Sequence, residues 1–406
     1  MTPAATSGAG VTAAGTDVVP GAATAAVPGA ATAAVPGAVP VAVPVAAPVA
    51  VPGAVRGAVP GAARRPGTPS TAPVRRRNRV RALWLLAVLA VLLVLVVLSV
   101  TVGSRSVGWA DVLAGVRGGT DGLGEAAVAK RVPRTVLAVV VGAALGLSGA
   151  VMQGVTRNPL ADPGILGITM GASLAVVTGI AWFGLATATG YVWVAILGAA
   201  AAAVLVHTIG SLGRGGGTPL RLALAGAATS AALASFVTAV SLPRGDIAAT
   251  VRSWQIGGVG GASSTTIEQA LPFLAVGFAV SLLCARSLNS LALGDDVAAG
   301  LGERVALARG VAALGAVLLC GAATALAGPV GFVGLVVPHL CRLLVGVDHR
   351  WLLPFTALTG ACLVVGADVV GRVVARPSEI DVGIVTALIG APFFIHVVRR
   401  QRVRAL

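Results

Sequence analysis

Long apolar segments constrain this chain more than any other feature of its sequence. Residues 82–102 carry no charged side chain, and further segments of similar character recur to the end of the chain. A helix needs about 20 consecutive apolar residues to cross a bilayer. Only 11% of all residues are charged, whereas soluble domains carry about 25%. The sequence therefore excludes a soluble fold and predicts a protein that crosses a membrane several times.

Ten apolar segments predict transmembrane helices, and the fold class is an all-α polytopic membrane bundle. They lie near residues 82–102, 134–155, 164–184, 191–211, 221–242, 269–289, 307–327, 330–345, 351–374 and 382–398. The eighth is short for a full span, so we expect a partial or tilted helix there. Gly, Ala and Ser are frequent in these segments, which lets helices pack closely in lipid.

The spacing of three residues in the first half of the bundle recurs in the second half. The two copies begin on opposite predicted faces of the membrane, which is typical of inverted repeats. The matched pairs are Arg134 and Arg309, Gly146 and Gly321, and Pro163 and Pro338.

Residues 1–79 differ in character from the rest of the chain. The unit Val-Pro-Gly-Ala recurs there, for example at Val27 and Val35. Proline interrupts helices, glycine weakens strands, and the small side chains bury too little surface to offset the entropy of ordering. We therefore predict a disordered cytoplasmic tail, followed by a membrane domain at residues 80–406.

Arginines at both ends of the bundle predict its orientation. Basic residues next to membrane helices favour the cytoplasmic side. Both termini are therefore predicted to be cytoplasmic, in a multi-pass protein of the plasma (inner) membrane. The flanking arginines are Arg75, Arg76, Arg77, Arg79 and Arg81 before the first span and Arg399, Arg400, Arg402 and Arg404 after the last.

Some basic residues depart from this rule because they fall in predicted outer segments. One explanation is an acidic partner that docks from outside. The other is that these side chains reach to the interface or cap helix ends. Charge alone leaves both open. The residues are Arg105, Arg117, Lys130, Arg131 and Arg134, with Arg372 and Arg376 near the ninth span.

The longest inner connection, residues 290–309, is named here the inner elbow. Asp295 and Asp296 follow Gly294, and Gly300 and Gly302 come just before the next apolar run. Asp caps the start of a short helix and Gly ends one. We therefore predict two short helices, broken at residues 300–302, along the inner face. Such an elbow either docks a cytoplasmic subunit or is merely structural.

Motifs of covalent chemistry are missing from the sequence. No phosphate-binding GxxxxGK[ST] loop exists, and Lys130 is the only lysine. Neither HExxH nor GxSxG occurs, and the histidines and cysteines form no metal-binding spacing. We predict no enzymatic activity, no cofactor, no metal site and no nucleic-acid partner. Asp368 and Arg372 stand four residues apart, so a self-neutralising pair is favoured over a proton or ion relay.

Two stretches carry a family resemblance. RVPRTVLAVVVGAALGLSGAVMQGVTRNPLADPGILGITMGA (131–172) and GPVGFVGLVVPHLCRLLVGVDHRWLLP (328–354) closely resemble the permease family of ABC importers for iron–siderophore, haem and cobalamin, the FecCD family. The resemblance covers about residues 82–400. It implies ten helices per subunit, a second permease subunit that is identical or paralogous, two cytoplasmic ATPase subunits and an extracytoplasmic substrate-binding protein. An iron(III)–siderophore is the first expectation for the substrate.

The resemblance also implies roles for individual residues. The cytoplasmic gate matches Asn158, Pro159, Leu160 and Thr218, although GRGGGTPL around Thr218 departs from the hydroxyl-rich family pattern. ATPase coupling matches Gly294, Asp295, Asp296, Gly300, Leu301, Gly302, Glu303 and Arg304. Docking of the binding protein matches Arg131, Arg134 and Arg372.

Two other classes compete with an ABC importer permease. An ion-driven secondary transporter would need an unpaired carboxylate inside the membrane and would work without an ATPase. A membrane enzyme would need a catalytic constellation, which the sequence does not display.

Overall fold

The computed structural model describes residues 72–164, 166–212 and 219–403, and all regular elements in these ranges are helices. The all-α prediction is therefore confirmed. The helices are α1 Ala72–Thr101, α2 Trp109–Val116, α3 Leu123–Thr156, α4 Ile168–Phe183, α5 Ala188–Ser211, α6 Pro219–Ser241, α7 Gly245–Ile256, α8 Ser264–Leu283, α9 Ala285–Leu291, α10 Asp295–Gly300, α11 Val305–Ala327, α12 Val333–Val345, α13 His349–Val374 and α14 Val382–Val403.

Apolar helices coincide, in order, with the ten predicted spans. Within the described ranges, seven helices are long and apolar enough to cross a membrane, namely α1, α3, α5, α6, α8, α11 and α13. Three shorter apolar helices, Ile168–Phe183, Val333–Val345 and Val382–Val397, occupy the other predicted positions. The short eighth span predicted from sequence is α12.

The predicted tail lies mostly outside the described residues, which begin at Ala72. Residues 72–79, assigned to the tail from sequence, already form the start of α1. The division into tail and membrane domain remains a prediction.

The inner elbow differs from its prediction. The short helix α10 ends at Gly300, where a break was expected, but the helix that follows is the long α11 rather than a second short one. A further break, between α9 and α10, was not expected. Gly294, with φ 106°, occupies the N-cap position of α10, where no side-chain cap forms. The expectation that Asp caps this helix was therefore wrong, because a glycine in a left-handed conformation already turns the chain.

Three further helices were misplaced or missed from sequence. The predicted sixth span ran to residue 289, whereas α8 ends before Cys284 and α9 is separate. Hydrophobicity continues through this break, so composition could not reveal it. Helices α2 and α7 lie in predicted outer segments, and both are too short for a search based on membrane-spanning length.

Helix α3 is the central element, and it packs most extensively against α13 and then against α11. A Cβ atom at Gly146 would lie 2.5 Å from the carbonyl oxygen of Thr356, and one at Gly142 would overlap Gly360. Backbones can meet in this way only where side chains are absent. We name the end of α3 that carries Arg131 the outer end and the end that carries Arg157 the inner end, following the predicted topology.

Candidate functional site

Near the outer end, one buried carboxylate lies between two arginines. Asp368 is fully buried, and its Oδ1 atom accepts a hydrogen bond from Arg134 Nε at 2.9 Å and forms an ion pair with Arg134 Nη2 at 2.8 Å. Arg372 Nη2 forms an ion pair with Asp368 Oδ2 at 2.8 Å. The predicted pairing of Asp368 with Arg372 is confirmed, and Arg134 joins it. A buried carboxylate held by two guanidinium groups is poorly suited to release and rebind ions.

Arg131 holds the end of α1. Its Nη1 atom donates to the carbonyl oxygens of Thr101 at 2.9 Å and Val100 at 3.3 Å, and Nη2 donates to the carbonyl oxygen of Arg105 at 2.6 Å. The last carbonyl groups of a helix lack partners within it. The side chain of Arg131 is buried and satisfies those carbonyls, which is the capping role left open in the sequence.

Arg372 makes a similar contact from α13. Its guanidinium donates to the carbonyl oxygens of Ser99 at 2.9 Å and Val102 at 3.2 Å, and to the Ser99 hydroxyl at 2.7 Å. Arg372 is only 2% exposed. Both arginines therefore bind their own chain in this structure, and their docking role stays a prediction.

All three predicted docking arginines line one outer cavity of about 430 Å³. Glu379 Oε2 accepts a hydrogen bond from Arg134 Nη1 at 2.6 Å, and Ser104 donates to its other oxygen at 3.2 Å. Burial alone would raise the pKa of Glu379, but the hydrogen bond and charge of Arg134 outweigh it and lower the pKa. Basic groups predominate in this cavity: its charged residues are Arg105, Lys130, Arg131, Arg134, Arg372 and Glu379.

The segment at the inner end of α3, residues 158–160, is named here the gate turn. Asn158 Oδ1 accepts a hydrogen bond from the backbone N–H of Leu160 at 3.0 Å, and the Asn158 N–H donates to the Gln153 carbonyl at 3.2 Å. Pro159 is exposed between them. An asparagine turn of this kind fixes the local backbone. The structure thus brings three predicted gate residues together, whereas Thr218 lies outside the described residues.

Two acidic residues of the inner elbow bind their own chain. Asp295 Oδ1 contacts Arg157 Nη2 at 3.2 Å and Arg309 Nη2 at 2.7 Å. Glu303 Oε1 accepts a hydrogen bond from the Ser287 hydroxyl at 3.0 Å. The predicted ATPase-coupling set therefore divides into residues that face inward and residues that face solvent. The exposed members are Asp296, Gly300, Leu301, Gly302 and Arg304.

Three large apolar side chains of the inner elbow are exposed. Leu293 is 61% exposed, Val297 is 51% exposed and Leu301 is 65% exposed. We name them the elbow strip. The sequence interpretation included only Leu301, although the spacing of four residues was visible as a signal. Apolar side chains grouped on a surface outside the membrane spans commonly mark an interaction site.

A polar contact missed from sequence fixes α9 to the start of α13. Asn289 Nδ2 donates to Asp348 Oδ1 at 2.8 Å, and the backbone N–H of His349 donates to Asn289 Oδ1 at 2.9 Å. Burial would raise the pKa of Asp348, but the hydrogen bonds from Asn289 and from the Arg350 N–H, with the charge of Arg81, lower it. The partners are about 60 residues apart in sequence, so only the fold brings them together.

Among the described residues, no group of three or more His, Cys, Asp or Glu side chains is placed to hold a metal ion. A second outer cavity, of about 470 Å³, is lined by Tyr191, Trp254, Thr266 and Asp381 together with apolar groups. Burial raises the pKa of Asp381. The sequence interpretation did not single out this cavity.

The fold defines a polytopic helical membrane protein with charged clusters at both ends of α3. The family model of the FecCD transport family matches residues 91–400, and the chain belongs to this family.

Named relatives support this assignment. The chain is 45% identical over 271 residues to the ferric enterobactin transport system permease protein FepD of Escherichia coli, covering 67% of this chain and 81% of that one. It is 45% identical over 272 residues to the iron(3+)-hydroxamate import system permease protein FhuB of Bacillus subtilis, covering 67% and 71%. A solved structure described as an inward-facing metal-chelate type ABC transporter matches with TM-score 0.62 and 31% identity, covering 78% of this chain and 98% of that one.

Proposed function

We propose that the chain is the permease subunit of an ABC importer. It carries an iron(III)–siderophore or related metal chelate across the plasma membrane into the cytoplasm, powered by a separate ATPase subunit. The observation that carries this proposal is the family match over residues 91–400. It spans all ten apolar helices in whole or in part, and two relatives that are 45% identical are named as permeases for ferric chelates.

The inner elbow is the proposed surface for the ATPase. The sequence contains no phosphate-binding loop, so ATP hydrolysis must come from another subunit. The elbow strip offers exposed apolar area, and Gly300, Gly302 and Arg304 lie exposed beside it. Apolar anchors with polar neighbours are typical of protein interfaces. ATP binding would move this surface and shift the bundle between two arrangements.

The outer cavity is the proposed surface for a substrate-binding protein. Its basic groups would attract acidic side chains of a partner. Lys130 and Arg134 are two of the positively charged residues that line the cavity. Complementary charge of this kind speeds encounter and fixes orientation. Arg134 already forms an ion pair with Glu379. A carboxylate of the binding protein would therefore compete with Glu379 for Arg134.

The gate turn is proposed to control passage toward the cytoplasm, as the family resemblance implies for Asn158, Pro159, Leu160 and Thr218. The remaining assembly follows the same resemblance, with a second permease subunit, two ATPase subunits and cytoplasmic termini. An ion-driven transporter is disfavoured because Asp368 is paired with two arginines.

Co-purification of the chain with the ATPase encoded beside it tests this function. Leu301→Ser is expected to reduce recovery of the ATPase because it removes an anchor of the elbow strip. Leu113→Ser is a matched control, since Leu113 lies on α2 and is similarly exposed at 60%. The proposal fails if the unmodified chain recovers no ATPase and takes up no ferric chelate with it.

A further inference from the structure

The residue that ends α3 adopts an unusual backbone conformation. Arg157 has φ 51° and ψ 30°, which is the left-handed region. Glycine or asparagine is the usual choice at this position of a helix end, because a β-carbon is disfavoured there. A non-glycine residue held in this conformation suggests that its side chain has a role.

The side chain of Arg157 reaches the inner elbow. It lies 3.2 Å from Asp295 Oδ1, and the same oxygen accepts a hydrogen bond from Arg309 at 2.7 Å. One carboxylate oxygen therefore joins the end of α3, the start of α10 and the first turns of α11. Arg157 and Asp295 are each 42% exposed in their side chains, so this contact can form and break without a large desolvation cost.

The gate turn begins at the residue after Arg157. The hydrogen bond from Leu160 N–H to Asn158 Oδ1 stiffens the turn, and the bond from Asn158 N–H to the Gln153 carbonyl fixes it to the end of α3. A displacement of α10 that carries Asp295 would therefore act on the gate turn through Arg157. The elbow strip, where the ATPase is proposed to bind, lies on the same short segment as Asp295.

We propose that Asp295 is a positioning residue that couples the inner elbow to the gate turn. Its ion pair with Arg157 transmits movement of α10 to residues 158–160, while Arg309 holds the carboxylate to α11. The interpretation of Asp295 as an ATPase contact is replaced by a role inside the permease. This inference rests on the proposed importer function and specifies how its two inner surfaces communicate.

The test uses the permease with its ATPase and binding protein in proteoliposomes. Uptake of radiolabelled ferric chelate and ATP hydrolysis are measured together. Asp295→Asn is expected to keep ATPase recovery and hydrolysis while the chelate transported per ATP falls roughly two- to fivefold, the scale of a partly exposed ion pair. Asp121→Asn is the matched control, an exposed aspartate outside both surfaces, and should leave the ratio unchanged.

Variants of the partner residue test the pair directly. Arg157→Gln should lower the ratio to a similar degree, and Asp295→Asn combined with Arg157→Gln should lower it no further, because both changes remove one interaction. Arg157→Lys should restore part of the ratio, since it keeps the charge. Independent, multiplying effects of the two substitutions would overturn the proposal.

A second readout needs no ATPase. In a cysteine-free background with Leu160→Cys, the rate of labelling by a charged thiol reagent reports exposure of the gate turn. Asp295→Asn should change this rate at least about twofold, the low end of the same scale, and an unchanged rate would overturn the proposal.

Two further outcomes separate this inference from the proposed function. If Asp295→Asn abolishes ATPase recovery, Asp295 is a docking contact and the coupling role is wrong. If the unmodified chain recovers no ATPase and shows no ATP-driven uptake, the importer function itself fails, and the coupling inference fails with it.

Discussion

Asp368→Asn is expected to destabilise the protein strongly. Asp368 is fully buried and is the shared partner of Arg134 and Arg372, which are 14% and 2% exposed in their side chains. The substitution keeps the shape of the side chain but leaves the buried Arg372 without a carboxylate and Arg134 with Glu379 alone. Removing one partner of a buried ion pair typically costs about 3–5 kcal/mol. We expect a loss of that size in the free energy of unfolding.

Thermal unfolding in mild detergent measures this loss. A thiol-reactive fluorescent dye reports the exposure of Cys284, Cys320 and Cys341, which are buried in the folded chain. Asp368→Asn should lower the unfolding temperature markedly, whereas Asp121→Asn should not. Asp368→Asn combined with Arg372→Gln should recover part of the stability, because one unpaired charge is removed with its partner.

The result that would refute this reasoning is a normal unfolding temperature for Asp368→Asn. If transport were lost at the same time, Asp368 would instead serve as an ion-relay carboxylate. The ion-driven transporter predicts that combination, and the structural pair does not.

Three other substitutions test the packing, the capping of α1 and the inner polar contact. Gly146→Ala should lower the unfolding temperature, since its Cβ would lie 2.5 Å from the Thr356 carbonyl oxygen, whereas Gly310→Ala, in open space, should be neutral or stabilising by up to about 1 kcal/mol. Arg131→Gln should loosen the end of α1, at about 1.5–3 kcal/mol for each charged hydrogen bond lost, and raise proteolysis near residue 105. Asp348→Asn should make the free energy of unfolding fall less steeply as the pH is lowered into the acid range. The folded-state pKa of Asp348 is lowered, so its contribution is fully present above the usual carboxyl value of about 3.9 and is lost as pH falls through the folded value.

Each of these has a contrary outcome. Equal unfolding temperatures for Gly146→Ala and Gly310→Ala would mean that α3 and α13 do not meet through their backbones. An unchanged proteolysis pattern in Arg131→Gln would exclude its role at the end of α1. An unaltered acid slope in Asp348→Asn would show that Asn289 and Arg81 do not stabilise its charged form.

The membrane helices could be predicted from sequence because span length depends on local hydrophobicity alone. The same reasoning found the outer arginines, since their charge contradicted the expected topology. It could not assign Arg131 and Arg372 to the carbonyl groups at the end of α1, because those contacts join residues about 30 and about 270 positions apart. Long-range contacts of this kind depend on how the helices pack against one another. The hydrophobicity of one segment does not reveal that packing.

In the inner elbow, the sequence predicted which residues are unusual but not which contacts they make. Its acidic residues and glycines marked it as unusual, but their spacing suggested a break at residues 300–302. The helix does end at Gly300, but the chain also breaks at Gly294, and this second break turns Asp295 toward Arg157 and Arg309. Residue type predicted that the acidic residues and glycines of the inner elbow have a special role. The direction in which each side chain points depends on where α3 ends, which the sequence of the elbow does not contain.

The most direct test of the account is uptake of a radiolabelled iron(III)–siderophore into proteoliposomes. The permease is reconstituted with its ATPase and binding protein, and in parallel alone with an imposed proton or sodium gradient. The account predicts uptake that requires ATP and all partners and that persists when the gradients are collapsed. Uptake by the permease alone, driven by an ion gradient and indifferent to ATP, would contradict it.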